Sequence, residues 1–133
     1  MRPEGDRGME RTQTQSQNQR GRVVLLNALP LNALPRRNLT LHVIPMNPQD
    51  LRQDLRFEGA NIIHFIRHAA TLNLLRTLIP SLPSEPNAGL YNWREGDIII
   101  VITLNAPSRG TEVQQIRLED LAVWLVEVEA QAH

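Results

Sequence analysis

Residues 98–104, with the sequence IIIVITL, constrain the fold more than any other segment of the chain. Nearly every position in this run is apolar, and most of its residues are β-branched. That pattern is typical of a buried central strand rather than of a half-exposed one. With 133 residues, of which 41% are hydrophobic, the chain has material for one domain with one modest core.

Shorter patterns predict the other strands of a mixed sheet. Residues 23–26 form a short apolar strand that ends at Asn27, and residues 39–44 alternate as a second strand, which Pro45 stops. Residues 90–93 are predicted to pair with the central run as a hairpin, with Glu-Gly-Asp at 95–97 as its turn. A final strand is expected at 122–129.

Helical spacing of apolar residues predicts one main helix over residues 69–79, extending toward its N-terminal side and stopped by Pro80. Shorter helical segments are expected at 31–34, 48–55 and 117–121. These elements indicate an α/β (α+β) fold, a single domain with a mixed sheet of about five strands flanked by helices. An aromatic-poor sheet of this kind is expected to leave an edge or face that a second copy covers, which predicts a homodimer.

The chain divides into a polar tail, residues 1–22, and a single domain, residues 23–133. The tail is rich in Gln and Arg and nearly free of apolar residues, so we expect it to be disordered. It also holds five of the 14 basic residues, so the domain itself is slightly acidic. A general binder of long nucleic acids is therefore not expected.

Composition excludes several classes of chemistry. The chain has no Cys, and all 14 of its basic residues are Arg, so thiolate metal sites, Cys nucleophiles and Lys bases are ruled out. No apolar stretch is long enough for a transmembrane span, and the first twenty residues lack the apolar region of a signal peptide. A cytoplasmic protein without a membrane partner is the expectation.

His68 follows His64 by four positions, which is a metal-ligand spacing when both lie on one helix. Arg67 between them disfavours a dication, so no metal site is predicted. His68 is the stronger catalytic candidate, because the small residues after it would let a phosphate approach a helix N-terminus. An imidazole there could protonate a leaving oxygen. A purely structural histidine is the alternative.

Arg109 and Glu112 follow the central strand in a Gly-containing loop, where an Arg can present a fork to a phosphate or simply pair with solvent and a neighbour. Asn27, Asn32 and Asn105 stand at the ends of predicted strands or turns. Their amides could cap backbone groups or recognise adenine edges.

Three segments together resemble one family, the cyclic tetra-adenylate ring nucleases, which include viral anti-CRISPR proteins against type III systems and cellular relatives. The first is VLLNALPLNAL at 24–34, where Asn27 and Asn32 match the family pattern and Pro30 replaces its usual Ser. The second is RHAATLNLLRTL at 67–78, where His68 and Thr71 match. The third is the Glu-Gly-Asp turn, the apolar strand, and then Arg109 and Glu112.

The resemblance implies a metal-independent phosphodiesterase without a cofactor. In this family a homodimer binds the cyclic ligand across its two-fold axis, and the ribose 2′-OH attacks the adjacent phosphorus. The product is linear di-adenylate with a 2′,3′-cyclic phosphate, and loss of the messenger switches off the ancillary effectors of the CRISPR response.

By the same resemblance, His68 would be the general acid, Arg109 would hold the phosphate, and Glu112 would orient Arg109 or His68 or assist the 2′-OH. The substrate-binding residues would be Asn27, Asn32, Arg67, Thr71 and Asn105. Two alternatives remain: a non-catalytic binder of the same messenger (a sponge or sensor), and a structural interaction domain.

Overall fold

The computed structural model describes residues 21–105 and 116–130. Within these residues the chain forms five strands, one α-helix and four short 3₁₀ helices. The strands are β1 (Arg22–Leu26), β2 (Leu39–Met46), β3 (Asn61–His64), β4 (Ile98–Leu104) and β5 (Leu121–Ala130), and the α-helix is α1 (Ala69–Leu78). The 3₁₀ helices are Leu31–Ala33, Pro48–Gln53, Leu55–Phe57 and Leu118–Asp120.

The five strands form one mixed sheet in the order β2-β5-β4-β1-β3. β1 is parallel to both of its neighbours, β3 and β4. β5 is antiparallel to β4 and to β2. The mixed sheet and the single domain agree with the predicted α+β architecture, and β4 lies at the centre as its continuous apolar run predicts.

The central strands are covered on both faces, by different kinds of structure, whereas the edge strand β2 is largely exposed. On the first face, Leu25, Ile100 and Val123 pack with α1, through Leu75 and Leu78, and with the 3₁₀ helices of residues 48–57. The second face is covered by the short Leu31–Ala33 helix and by loops. The residues packed there are Val24, Leu26, Ile99, Val101 and Val126 from the strands, with Ala33, Tyr91 and Trp93 from the covering segments.

The predicted hairpin is wrong, because residues 90–93 form no strand and β4 pairs with β1 instead. The backbone N–H of Trp93 donates to the Ala33 carbonyl oxygen, and the Tyr91 hydroxyl donates to the Asp97 carboxylate. These contacts fold the segment over the second face of the sheet. The Glu-Gly-Asp turn is present at 95–97, but it leads from a loop into β4.

The N-terminal extension of the main helix is also wrong. Residues 61–64 form strand β3, which pairs with β1, and α1 begins only after His68, whose side chain caps it. The adjacent β-branched Ile62 and Ile63 favour a strand, and pairing with β1 overrides the helical spacing around them. His64 and His68 therefore do not share a helix.

Two boundaries move by one or two residues. Pro45 lies inside β2 and does not stop it, because β2 is an edge strand with one partner, where a residue without an N–H is tolerated. Arg22, placed by its composition in the tail, is the first residue of β1. Asn47 caps the following 3₁₀ helix through Gln49 N–H. Residues 1–20 of the tail lie outside the described residues.

Candidate active site

The sheet topology brings three predicted site segments to one edge. β1, β3 and β4 are parallel and adjacent, so their carboxyl ends lie together. Asn27 follows β1, Arg67 and His68 follow β3, and Asn105 follows β4. In open α/β sheets, ligands bind outside the carboxyl ends of the parallel strands.

His68 is exposed and stands at the N-cap of α1 in extended conformation. Its Nδ1 lies 2.9 Å from Thr71 Oγ1 and accepts the Thr71 N–H at 3.4 Å. When Nδ1 accepts, the neutral imidazole carries its proton on Nε2. Both contacts engage Nδ1, and Nε2 makes no hydrogen bond to another described residue.

Thr71 is 5% exposed, and its hydroxyl contacts His68 at Nδ1. A hydroxyl can donate to a neutral Nδ1 or accept from a protonated one. Thr71 can thus hold the ring in either protonation state. In this arrangement Thr71 fixes His68, and the substrate contact that the resemblance implies for Thr71 stays a prediction.

His64 differs from His68 in exposure and in how its two ring nitrogens are bonded. It is 1% exposed, its Nε2 lies 2.9 Å from the Pro83 carbonyl oxygen, and its Nδ1 accepts the Ile66 N–H at 3.1 Å. Burial, together with the nearby Arg67 and Arg76, lowers its pKa although the Pro83 bond opposes this. His64 is thus held neutral with the proton on Nε2.

The remaining described site residues are exposed and polar. Asn27, Asn32, Arg67 and Asn105 are all exposed. Asn32 lies in the Leu31–Ala33 helix, and the Arg67 Nη2 donates to the Asn87 carbonyl oxygen at 3.5 Å. The Asn105 N–H donates to the Asp120 carbonyl oxygen, which leaves its side-chain amide at the same edge as His68.

Arg109 and Glu112 lie outside the described residues. The chain between Asn105 and Ile116 connects β4 to the Leu118–Asp120 helix, and both ends of that connection are at the carboxyl edge of β4. Among the described residues, no group of three or more His, Asp or Glu side chains could hold a metal ion.

One contact of the site could not be found from sequence. The buried imidazole of His64 meets the carbonyl of Pro83, a residue from a loop after α1. No spacing pattern links these two positions, because the contact depends on how α1 returns the chain to the end of β3. The only sequence signal was a histidine within an apolar run.

Comparisons with known proteins give a fold and no family. No protein-family model matches the chain, and no curated protein matches it in sequence. Within the described part of the chain, no helix has the length and hydrophobicity that crossing a bilayer requires.

Solved structures do match. One of them is B116 of Sulfolobus turreted icosahedral virus, with a TM-score of 0.61 and 23% sequence identity, over 80% of this chain and 98% of the viral protein. Agreement over almost the whole of that protein, at this low identity, identifies a common architecture. The chain therefore has the fold of the viral protein B116.

Proposed function

We propose that this protein is a ring nuclease that degrades cyclic tetra-adenylate without a metal ion. The observation that carries the proposal is the state of His68. An exposed imidazole is fixed by Nδ1 at a helix N-terminus, at the carboxyl edge of three parallel strands. A ring held in this way can donate a proton from Nε2 once it is protonated, and the resemblance of three segments to the ring nucleases indicates the substrate.

The chemistry is an in-line displacement at phosphorus. The 2′-oxygen of one ribose bonds to the adjacent phosphorus as the bond from phosphorus to the 5′-oxygen breaks. The 5′-oxygen takes the proton from Nε2 of the protonated His68 ring, which becomes neutral. The 2′-OH proton goes to Glu112, or to water if Glu112 instead orients Arg109 or His68. One product end is a 2′,3′-cyclic phosphate and the other is a 5′-hydroxyl.

Phosphate binding in this proposal uses three kinds of donor. The first turn of the ten-residue helix α1 offers backbone N–H groups, and Ala69 and Ala70 leave room for close approach. Arg67 is exposed beside them, and Arg109 supplies the fork that the family motif implies. Charge that builds on the phosphate during attack is stabilised by the same groups.

The asparagines suit the other half of the ligand. Asn27 and Asn105 follow the neighbouring strands β1 and β4, and Asn32 lies in the connection after β1. An amide offers both a donor and an acceptor, which matches an adenine edge. These three side chains would position the base or the ribose.

A homodimer belongs to the proposal, because a symmetric ring needs two half-sites. The structure supports it with an uncovered apolar strip. β2 residues 41 and 43 share a face with Trp124, as the register of β2 and β5 requires. Leu41, Val43 and Trp124 are 36%, 54% and 36% exposed. A second copy that covers this strip would remove it from water.

The biological role then follows from the substrate. Removal of the messenger switches off the ancillary effectors of type III CRISPR defence, and the protein would meet its ligand in the cytoplasm, where that messenger is made. The partners proposed are cyclic tetra-adenylate and a second copy of the chain.

The test is incubation of the protein with cyclic tetra-adenylate in EDTA, with the products identified by mass spectrometry. Linear di-adenylate with the mass of a cyclic phosphate is expected. Tight binding of a ring that stays intact over hours would instead establish a non-catalytic binder. Sedimentation in the same buffer tests the dimer, and a monomer of 15.1 kDa at micromolar concentration would contradict it.

A further inference from the structure

We propose that His64 is a positioning residue that sets the location of His68: its Nδ1 holds the turn between β3 and α1, and its Nε2 contact with the loop after α1 stabilises the buried ring. This inference rests on the proposed function for the role of His68. It rests on the geometry alone for the role of His64.

The imidazole of His64 joins two segments that are distant in sequence. Its Nδ1 accepts from Ile66 N–H in the turn, and its Nε2 donates to the carbonyl oxygen of Pro83 in the loop. The backbone of His64 adds a second link, because its carbonyl oxygen accepts the Asn87 N–H at 2.7 Å. The two segments are therefore joined on both sides of the same residue.

Neighbouring contacts extend this connection to the site. Arg67, which immediately precedes His68, reaches the Asn87 carbonyl oxygen. On the other side, Arg76 of α1 donates to the Leu82 carbonyl oxygen. The loop, the turn and the first residues of α1 thus form one hydrogen-bonded unit, with the His64 ring buried inside it.

Only a neutral imidazole with its proton on Nε2 makes both side-chain contacts at once, because one nitrogen must accept and the other must donate. A protonated ring would place an N–H against the Ile66 N–H and break that contact. The charged groups around the ring are Arg67 on the turn, Arg76 on α1 and Glu85 on the loop. The two cations oppose protonation, and Glu85 favours it less strongly.

The sign of the pH effect follows from the lowered pKa of His64. The unfolded chain binds a proton near the ordinary histidine value of about 6.5 more readily than the folded protein does. Stability that depends on neutral His64 is complete above that pH and is lost as the pH falls below it. Displacement of His68 should accompany that loss.

The experiment separates the two arms of the ring. In His64→Asn, the side-chain amide reaches the position of Nδ1 and can still accept from Ile66, but it does not reach Pro83. In His64→Gln, the amide reaches the position of Nε2 and can still donate to Pro83, but it leaves the Ile66 N–H without its acceptor. The two variants are matched in polarity and differ in which segment they hold.

We expect His64→Gln to slow single-turnover cleavage of cyclic tetra-adenylate by about tenfold, the equivalent of one hydrogen bond, with little change in ligand affinity. His64→Asn should cleave within about twofold of the parent, although its melting temperature falls, because the turn that carries His68 is kept. The opposite ranking of the two rates would overturn the proposal.

Nitrogen NMR of the His68 ring supplies a readout that needs no activity. His64→Gln should shift the His68 resonances, and His64→Asn should not. In the parent protein, the His68 signals should also respond to protonation of His64, and this response should vanish in His64→Asn. If the His68 signals are the same in all three proteins, His64 does not position His68, whether or not the ring is cleaved. If these NMR results hold and the ring stays intact, only the proposed function fails.

Discussion

The two ends of the sheet are built in opposite ways. Past the carboxyl ends of β1, β3 and β4 lie the exposed polar side chains of Asn27, His68 and Asn105. At the amino ends of β1 and β4, the polar groups are turned inward and satisfied by one another. The carboxyl end of the sheet, which is exposed and polar, is therefore the open end, and the amino end, whose polar groups bind one another, is the closed end.

The closed end is centred on Asp97, whose side chain is 1% exposed. Its carboxylate accepts two bonds from Arg22, one from the Tyr91 hydroxyl at 2.6 Å, and one from the Arg94 N–H. Burial alone would raise the pKa of Asp97, but the bonds from Arg22 and Tyr91 hold it below its ordinary value. Burial and the Asp97 contact raise the pKa of Tyr91.

This contrast separates stability from chemistry within one domain. The amino end joins β1, β4 and the loop over the second face, so its loss should affect the whole fold. The exposed asparagines past the carboxyl ends, Asn27 and Asn105, should tolerate change without a large loss of stability. Sites that bind or react are often less stabilising than the surrounding structure, since their polar groups are kept for the ligand.

The largest effect is expected for Asp97→Asn. The amide keeps the volume but removes the charge opposite Arg22 and places an NH₂ group among donors, which should cost about 3 kcal/mol or more of unfolding free energy. Urea denaturation measures it. Glu119→Gln is the matched control, because its pair with Arg117 is 3.5 Å long and exposed, and it should change stability by less than about 0.5 kcal/mol.

The same carboxylate predicts a loss of stability in acid. The pKa of Asp97 is lower in the folded protein than in the unfolded chain, so its contribution is complete above the ordinary value of about 3.9 and is lost as the pH falls below it. Asp97→Asn should therefore have a flatter pH dependence of its melting temperature below about pH 4. A parallel dependence in both proteins would remove Asp97 from the account.

A smaller loss is expected for Gly21→Ala, because Gly21 has a φ of 92° and a Cβ there would collide with the carbonyl oxygen of Gly96. Strain of this kind costs on the order of 1–3 kcal/mol. Gly59→Ala is the control, since Gly59 has a φ of 65° but no atom within 4 Å of the added Cβ. Thermal melts of both variants should show the larger drop for Gly21; an equal drop would argue against close contact at the closed end.

At the open end, Thr71→Val should slow cleavage by about tenfold, because it removes the hydroxyl that fixes His68 Nδ1 and keeps the side-chain shape. Thr71→Ser keeps the hydroxyl and should stay close to the parent rate. Single-turnover kinetics distinguish the two variants. Equal rates in Val and Ser would show that the hydroxyl does not orient His68.

The smallest effect is expected at the tail. A protein that begins at Gly21 should melt and cleave as the full chain does, since residues 1–20 carry almost no apolar side chains. A protein that begins at Val23 should be less stable, because it lacks the Arg22 pair with Asp97 at 2.7 Å. Equal melting temperatures for these two truncations would contradict the importance of that pair.

The sequence predicted the elements whose signals are local. The central strand β4, the final strand β5 and the short helical segment at 31–34 all follow from patterns within a few residues. It failed where distant contacts decide. Residues 90–93 look like a strand until Asp97 and Ala33 bind them, and residues 61–64 look like the start of a helix until β1 pairs with them.

The candidate site shows the same division. His68 and the asparagines could be named from residue type and from their places after strands. Their common edge follows only from the order of the strands, which no local pattern contains. The positioning roles proposed for Thr71 and His64 rest on side-chain hydrogen bonds that only the fold shows.

The most direct test of the account is a paired measurement on His68→Ala and Asp97→Asn, with single-turnover cleavage of cyclic tetra-adenylate in EDTA and urea denaturation on the same samples. His68→Ala should cleave about 100-fold more slowly or worse, the usual contribution of a general acid, with nearly unchanged ligand affinity and a loss of about 1 kcal/mol of stability from the missing helix cap. Asp97→Asn should lose stability and, at a temperature where it remains folded, cleave near the parent rate. A His68→Ala protein that cleaves at the parent rate would contradict the central claim.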